Sequence, residues 1–162
     1  SIDYGTMNPC SMGLWRVEGG TAVRISEYYH DGRRMRRQMT DEEYYSKLEL
    51  LAGDRVIQFI VIDPSAASFI ACIKKHGKFS VKKAANDVLD AIRVTAALLS
   101  SGRVLFDESC KDTIKEFRTY SWDEKSHEDK VIKENDHAMD DIRYFCYTVL
   151  RREWHWDDWA VT

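Results

Sequence analysis

Two spacings of apolar residues alternate along the chain. Near the N-terminus, Met12 to Val17 and Ala22 to Tyr29 read as two strands, and Gly19-Gly20 between them is a hairpin signal. Ile2 to Tyr4 reads as the end of an earlier strand, turned by Gly5 and Thr6. From Thr40 the period lengthens. Thr40 with Glu43 is a capping-box pattern, Tyr44, Leu48 and Leu51 share one helical face, and Gly53 ends that helix. Val56 to Ile62 is an unbroken run rich in β-branched residues, which suits a central strand buried on both faces. Asp63-Pro64-Ser65 closes it. The pattern then predicts a helix from Ala66 to Lys75 ended by Gly77, and a short strand from Phe79 to Val81. Asn86 or Asp87 caps a helix through Leu99, which Gly102 ends. A short strand from Val104 to Phe106 and a helix from Ser109 to Tyr120 come next. Glu124 to Asn135 is charged and weakly patterned and reads as a loop. The last helix runs from about Asp136 to Arg152, and residues 153–162 form an aromatic, acidic tail. Three antiparallel strands, then alternating helices and parallel strands, predict an α/β fold: a mixed sheet with helices on both faces.

Composition narrows this reading. The 162 residues suffice for one domain with its own core, without staples. With 44% apolar and 31% charged residues the chain has a globular composition, and no apolar run approaches the roughly 20 residues of a membrane helix. The formal net charge of -3 argues against a surface that binds nucleic acid everywhere, but does not exclude a nuclease, whose acidic centre offsets basic patches elsewhere. Cys10, Cys72, Cys110 and Cys146 are widely spaced in apolar stretches without a C-x-x-C. They read as buried, reduced thiols of a reducing cytosol, not as zinc ligands.

The candidate chemistry lies in the segment Lys133 to Tyr144, where Glu134, Asp136, Asp140 and Asp141 surround His137 and lead into an apolar stripe. At 100° per residue, Ala138, Met139, Ile142, Phe145, Cys146, Val149 and Leu150 fall on one side. Asp136, Asp140, Arg143 and Tyr147 fall on the other, so the helix can dock on a sheet and present Asp140 along one margin. Asp3 and Asp63 each end an apolar strand, and neighbouring strands would set them side by side. Carboxylates so placed repel one another, and a divalent cation removes that cost. Oxygen ligands suit Mg²⁺ or Mn²⁺. Each aspartate alone has a structural reading: Asp3 as a turn residue, Asp63 and Asp136 as helix caps. Asp141 reads as solvated or paired with a lysine. The combination of two strands and the last helix favours catalysis.

These residues resemble a known family. Asp3-Tyr4-Gly5-Thr6, Val61-Ile62-Asp63-Pro64-Ser65-Ala66-Ala67, Asn86 to Arg93, Glu116-Phe117 with Tyr120-Ser121-Trp122, and Asp136 to Tyr144 match, in order, the motifs of a phage nuclease. The chain resembles the C-terminal nuclease domain of the large terminase subunit of tailed bacteriophages, which has a ribonuclease H-like fold. The resemblance implies an endonuclease that cuts concatemeric viral double-stranded DNA during packaging, with two divalent metal ions, Mg or Mn. By motif position it implies Asp3, Asp63 and Asp140 as metal ligands and His137 beside them. It also implies a host-cell cytoplasmic protein working with a packaging ATPase domain, a small terminase subunit and the portal. No G-x-x-x-x-G-K-[ST] loop is present, so the chain looks like a single nuclease domain, 1–162, excised from a longer protein. Asp141 stands where a small apolar residue is more usual in the family.

Arg33, Arg34, Arg36 and Arg37, with Lys130 and Lys133, are candidates for phosphate contact. Two other readings compete: another ribonuclease H-like nuclease, such as a junction resolvase or recombinase core, and a module that docks DNA or packaging proteins without cutting.

Overall fold

A computed structural model describes residues 1–85, 87–119 and 136–151. Six strands form one sheet: β1 (Ile2–Asp3), β2 (Cys10–Glu18), β3 (Thr21–His30), β4 (Ile60–Ile62), β5 (Val81–Lys83) and β6 (Val104–Phe106). Their order across the sheet is β5-β4-β1-β2-β3-β6. The pairs β1–β2 and β2–β3 are antiparallel, while β1–β4, β4–β5 and β3–β6 are parallel. This is the expected mixed sheet.

Five α-helices cover it: α1 (Asp41–Ala52), α2 (Ala67–His76), α3 (Val88–Ser100), α4 (Lys111–Thr119) and α5 (His137–Phe145). The α5 helix runs directly into a π-helical turn, Cys146–Leu150. One core layer packs Ile2, Met12, Ile60 and Ile62 against Tyr44, Leu48, Phe69 and Ile73 of α1 and α2. The opposite layer packs Ala22 and Val104 against Ala91, Val94 and Leu98 of α3 and Ile142 and Phe145 of α5. Helices therefore lie on both faces.

Local signals set most boundaries. The Thr40 hydroxyl accepts from the Glu43 backbone N–H, and the Thr40 N–H donates to the Glu43 carboxylate, completing the capping box of α1. Gly77 takes the left-handed conformation after α2 (φ 69°), where a side chain would be strained. Asp87 accepts from the Asp90 N–H and caps α3.

Two expectations are corrected. The strand expected over Val56 to Ile62 is confined to Ile60–Ile62. Strand pairing needs a partner, and β1 reaches β4 only at Ile2 opposite Ile62. The last helix is also not divided into an apolar and a solvated side. Arg143, Tyr144 and Tyr147 are buried along with the apolar stripe. Arg143 turns its guanidinium onto Asp140, and the π-turn carries Tyr147 into the core. The expected loop at 124–135 and the tail at 153–162 lie outside the described residues. Among the described residues, no helix is long and apolar enough to cross a membrane.

Candidate metal centre

Parallel pairing of β1 with β4 sets Ile2 opposite Ile62. The next residue on each strand is therefore Asp3 or Asp63, and the two aspartates leave the sheet at the same end. This is the carboxyl edge of parallel strands, where α/β sheets carry their ligand sites. The third acid comes from the first turn of α5, which packs over β1 and β2 and brings His137 and Asp140 to that edge.

The side chains interlock. His137 Nδ1 lies 2.8 Å from Asp3 Oδ2. The Tyr144 hydroxyl donates to Asp63 Oδ2 at 2.7 Å, and the Ser65 N–H donates to Asp63 Oδ1 at 2.6 Å. The Arg143 guanidinium donates to Asp140 Oδ1 at 2.8 Å. Burial raises the Tyr144 pKa most, and the charge of Asp3, the hydrogen bond to Asp63 and the charge of Asp140 raise it further.

Each acid has its own electrostatic setting. Burial pushes the Asp3 carboxyl up to about 6, the charge of Asp140 adds to this, and the His137 hydrogen bond opposes it. Burial also works against ionisation of Asp63, but the hydrogen bonds from Ser65 and Tyr144 and the Arg143 charge hold it below its usual value. Burial would lower the His137 pKa, and the hydrogen bond and charge of Asp3 reverse this and raise it.

An open cleft of about 940 Å³ borders the centre, lined by Asp3, Asp31, Arg33, Asp136, His137, Asp140 and the loop 4–9. Asp63 does not line it, because its carboxylate is turned to Tyr144 and Ser65. Of the basic run, Arg33 alone borders this cleft. Arg37 is paired with Glu43 at 2.6 Å, and Arg34 and Arg36 are exposed elsewhere. Lys130 and Lys133 lie outside the described residues.

Asp136 and Asp141 depart from their sequence readings. Asp136 occupies the N-cap of α5 without a side-chain capping bond. That work falls to Glu116 of α4, whose carboxylate accepts from the Ala138 N–H at 2.7 Å and the Met139 N–H at 3.2 Å. Asp141 is wholly buried and forms an ion pair with Arg24, a second Arg24 nitrogen donating to Asp141 Oδ2 at 3.0 Å. It also accepts from Ser1 Oγ (2.8 Å) and Ser11 Oγ. Gly13 makes this possible, since a Cβ there would fall on the Arg24 guanidinium. Arg24 sits mid-strand in β3, and nothing in its local pattern announces an ion pair with a residue 117 positions away.

The donor set suits a hard cation. Asp3, Asp140 and His137 line one cleft, with Arg143 on Asp140, and Asp3 resists ionisation chiefly because it is buried and further because Asp140 is near, a cost that a cation would offset. The four cysteines are free and buried, as expected, and none of them lines the cleft. One of them, Cys72, lies with Glu42 and His76 between α1 and α2, where His76 Nε2 is already 2.7 Å from Glu42 Oε2.

No protein-family model matches the chain, and no curated protein does. Solved structures do. The large terminase of a thermophilic bacteriophage, in complex with ADP, is 44% identical with a TM-score of 0.89, over 93% of this chain and 39% of that one. In sequence and fold this chain resembles a stretch of that large terminase. The nuclease domain of the P22 large terminase shares the fold at 18% identity and a TM-score of 0.69, over 93% of this chain and 79% of that one. The SPP1 large terminase nuclease domain, with bound Mn, does so at 15% identity and a TM-score of 0.63, covering 93% and 82%. The ribonuclease H-like fold expectation therefore holds, and the chain spans 39% of the length of the ADP-bound relative.

Proposed function

We propose that this chain is a metal-dependent DNA endonuclease that cuts concatemeric viral double-stranded DNA during packaging. What supports the reading is that Asp3 and Asp63 end neighbouring parallel strands, and that Asp3, His137 and Asp140 line one open cleft. Its structural relative from SPP1 holds Mn.

In this reading Asp3, Asp63 and Asp140 supply the oxygen donors for two divalent ions, Mg²⁺ or Mn²⁺. When bound, such ions neutralise phosphodiester charge and activate the attacking water. The chain's own residues prepare the place. His137 holds one Asp3 oxygen, and Tyr144 with Ser65 fixes the Asp63 carboxylate. Arg143 orients Asp140. Arg33, on the cleft wall, meets the phosphate backbone, with Lys130 and Lys133 as further candidates. In the longer protein an ATPase domain, a small subunit and the portal are the partners, in the host cytoplasm.

The test is cleavage of linear and supercoiled plasmid in Mn²⁺ by the parent chain and by Asp63→Ala and Asp140→Ala. Loss of cutting in both variants, with unchanged circular dichroism, is expected. Cutting that persists in either variant removes that aspartate from the site, and a preference for branched DNA moves the reading to a junction resolvase.

A further inference from the structure

Metal-type ligands also meet between α1 and α2, where they share no residue with the acidic cleft. Cys72 and His76 stand four positions apart in α2, so one helical face carries both. Glu42 comes from the first turn of α1, which packs against α2. One ligand atom from each of the three lies within 4.8 Å of those of the other two. The wide spacing of the cysteines argues against a site of several thiolates. The fold assembles a different set: one thiol, one imidazole and one carboxylate from two helices.

Each ligand is held in its own way. The His76 ring stacks on buried Tyr45, with centroids 3.8 Å apart and planes at 8°, and this fixes the plane of the imidazole. His76 Nε2 lies 2.7 Å from Glu42 Oε2. Glu42 and Tyr45 are three positions apart in α1, so one face of that helix supplies both the carboxylate and the support for the ring. Cys72 is buried. Burial most, then the charges of Glu42 and Asp41, hold its thiol protonated, while Lys75 opposes them. A bound cation would reverse that balance. His76 also ends α2, where the negative pole of the helix favours positive charge.

We infer that Glu42, Cys72 and His76 form a second metal site, for a divalent cation of the Zn²⁺ class. Zinc takes sulfur, nitrogen and carboxylate oxygen together, whereas Mg²⁺ keeps to oxygen. In a tetrahedral zinc site the donor atoms stand roughly 3.3–3.8 Å from one another. The present spacings, 2.7 Å at the narrowest and within 4.8 Å at the widest, bracket that range. The Glu42 and His76 side chains are 56% and 36% exposed, so both can turn to close the difference. On binding, the Cys72 S–H bond breaks, the sulfur keeps the electron pair and the proton leaves to solvent. Neutral His76 gives a nitrogen lone pair and Glu42 an oxygen. Among the described residues the group has three protein ligands, which leaves the fourth position to water. The ion would clasp α1 to α2, whose Tyr44, Leu48, Phe69 and Ile73 pack on β1 and β4. The site does not depend on the nuclease reading.

The experiment titrates the 162-residue chain with Co²⁺ in a non-thiol reductant. A near-ultraviolet thiolate-to-cobalt charge-transfer band should appear, and Zn²⁺ should bleach it. Cobalt on carboxylates alone adds nothing to this band. Cys72→Ser should abolish it, and Glu42→Gln and His76→Gln should each weaken the affinity about tenfold or more. Asp63→Ala should keep the band, which separates this site from the acidic cleft. Zn²⁺ should also raise the thermal midpoint of the parent by several degrees, and that of His76→Gln by less. No band in the parent, a band that survives Cys72→Ser, or a band lost with Asp63→Ala overturns the inference. Unchanged affinity in both Glu42→Gln and His76→Gln also overturns it, because the His76–Glu42 contact is then an ion pair only. Should Cys72→Ser fail to fold, these two variants decide, since both side chains reach solvent.

Discussion

The Asp141 carboxylate lies against the Arg24 guanidinium with neither side chain reaching solvent, one residue along α5 from Asp140. The pair ties the helix to β3 and so fixes the rotation at which Asp140 meets the sheet edge. Removing one partner leaves a buried charge, at a cost of about 3–5 kcal/mol. Arg24→Met should lose that much in urea unfolding, whereas Arg24→Met with Asp141→Leu should recover most of it. A double variant as unstable as the single one would show that the pair is not the source.

Metal binding should depend on pH through Asp3 and its partner. The carboxyl, held up to about 6 chiefly by burial, must lose its proton to bind a cation. His137, raised by Asp3, shares that titration. Mn²⁺ affinity should therefore rise as pH increases through 6 and level off once Asp3 is ionised and His137 neutral. Calorimetry in buffers of different ionisation enthalpy should find proton release at pH 5.5 and little at pH 8.5. Equal release at both values would remove Asp3 from the binding set.

Glu116 should act on α5 from outside it. Glu116→Ala leaves the Ala138 and Met139 amides without their acceptor and should cost about 1–3 kcal/mol in chemical unfolding. The carboxyl is raised from 4.5 to about 7, chiefly by burial. The folded state then binds more protons than the unfolded one between those values, so this group's contribution to stability falls as pH rises from 4.5 to 7. Glu116→Gln should flatten that slope. A slope unchanged in this variant would assign it to another group.

How far these relationships were legible in the sequence depended on their range. Capping box, hairpin and glycine stop are local, and the sequence pattern located them at Thr40, Gly19-Gly20 and Gly77. Asp3 and Asp63 were legible as a pair because each ends a short apolar strand and parallel neighbours align such ends. Glu116, Arg24 and the roles of Asp136 and Asp141 were not legible. Capping of α5 by α4 and pairing of β3 with α5 join elements far apart in the chain, and side-chain spacing carries no trace of them. The overlong β4 has a different reason: β-propensity marks residues fit for a strand, while the ladder exists only where a neighbour is present.

Tyr144→Phe should separate holding Asp63 from the ligand itself. It keeps the ring and removes the 2.7 Å hydrogen bond. Mn²⁺ affinity should fall several-fold, about 1 kcal/mol, and excess Mn²⁺ should restore cutting. Cutting that excess metal fails to restore would give the hydroxyl a part in the reaction.

Thr40→Ala supplies the control. Loss of the capping box should cost about 1 kcal/mol in thermal or urea unfolding and leave Mn²⁺ affinity unchanged. A change in affinity would mean that α1 reports to the metal centre.

The π-turn at Cys146–Leu150 has a consequence for how this helix can vary. A π-turn holds one residue more than an α-turn, so it acts as an insertion that resets the angular phase of the residues after it. Residues 137–145 can then keep the rotation that Asp140 and Asp141 demand, while Tyr147 and Leu150 settle independently against α3. Deleting one residue within the turn would return the segment to α-geometry and leave Leu150 close to its present phase, whereas a deletion in the α-helical half, residues 137–145, would swing everything after it by about 100°. A one-residue deletion should therefore be better tolerated in the turn than before it: the wide turn is a phase adaptor between a half that carries Asp140 and a half tuned for packing.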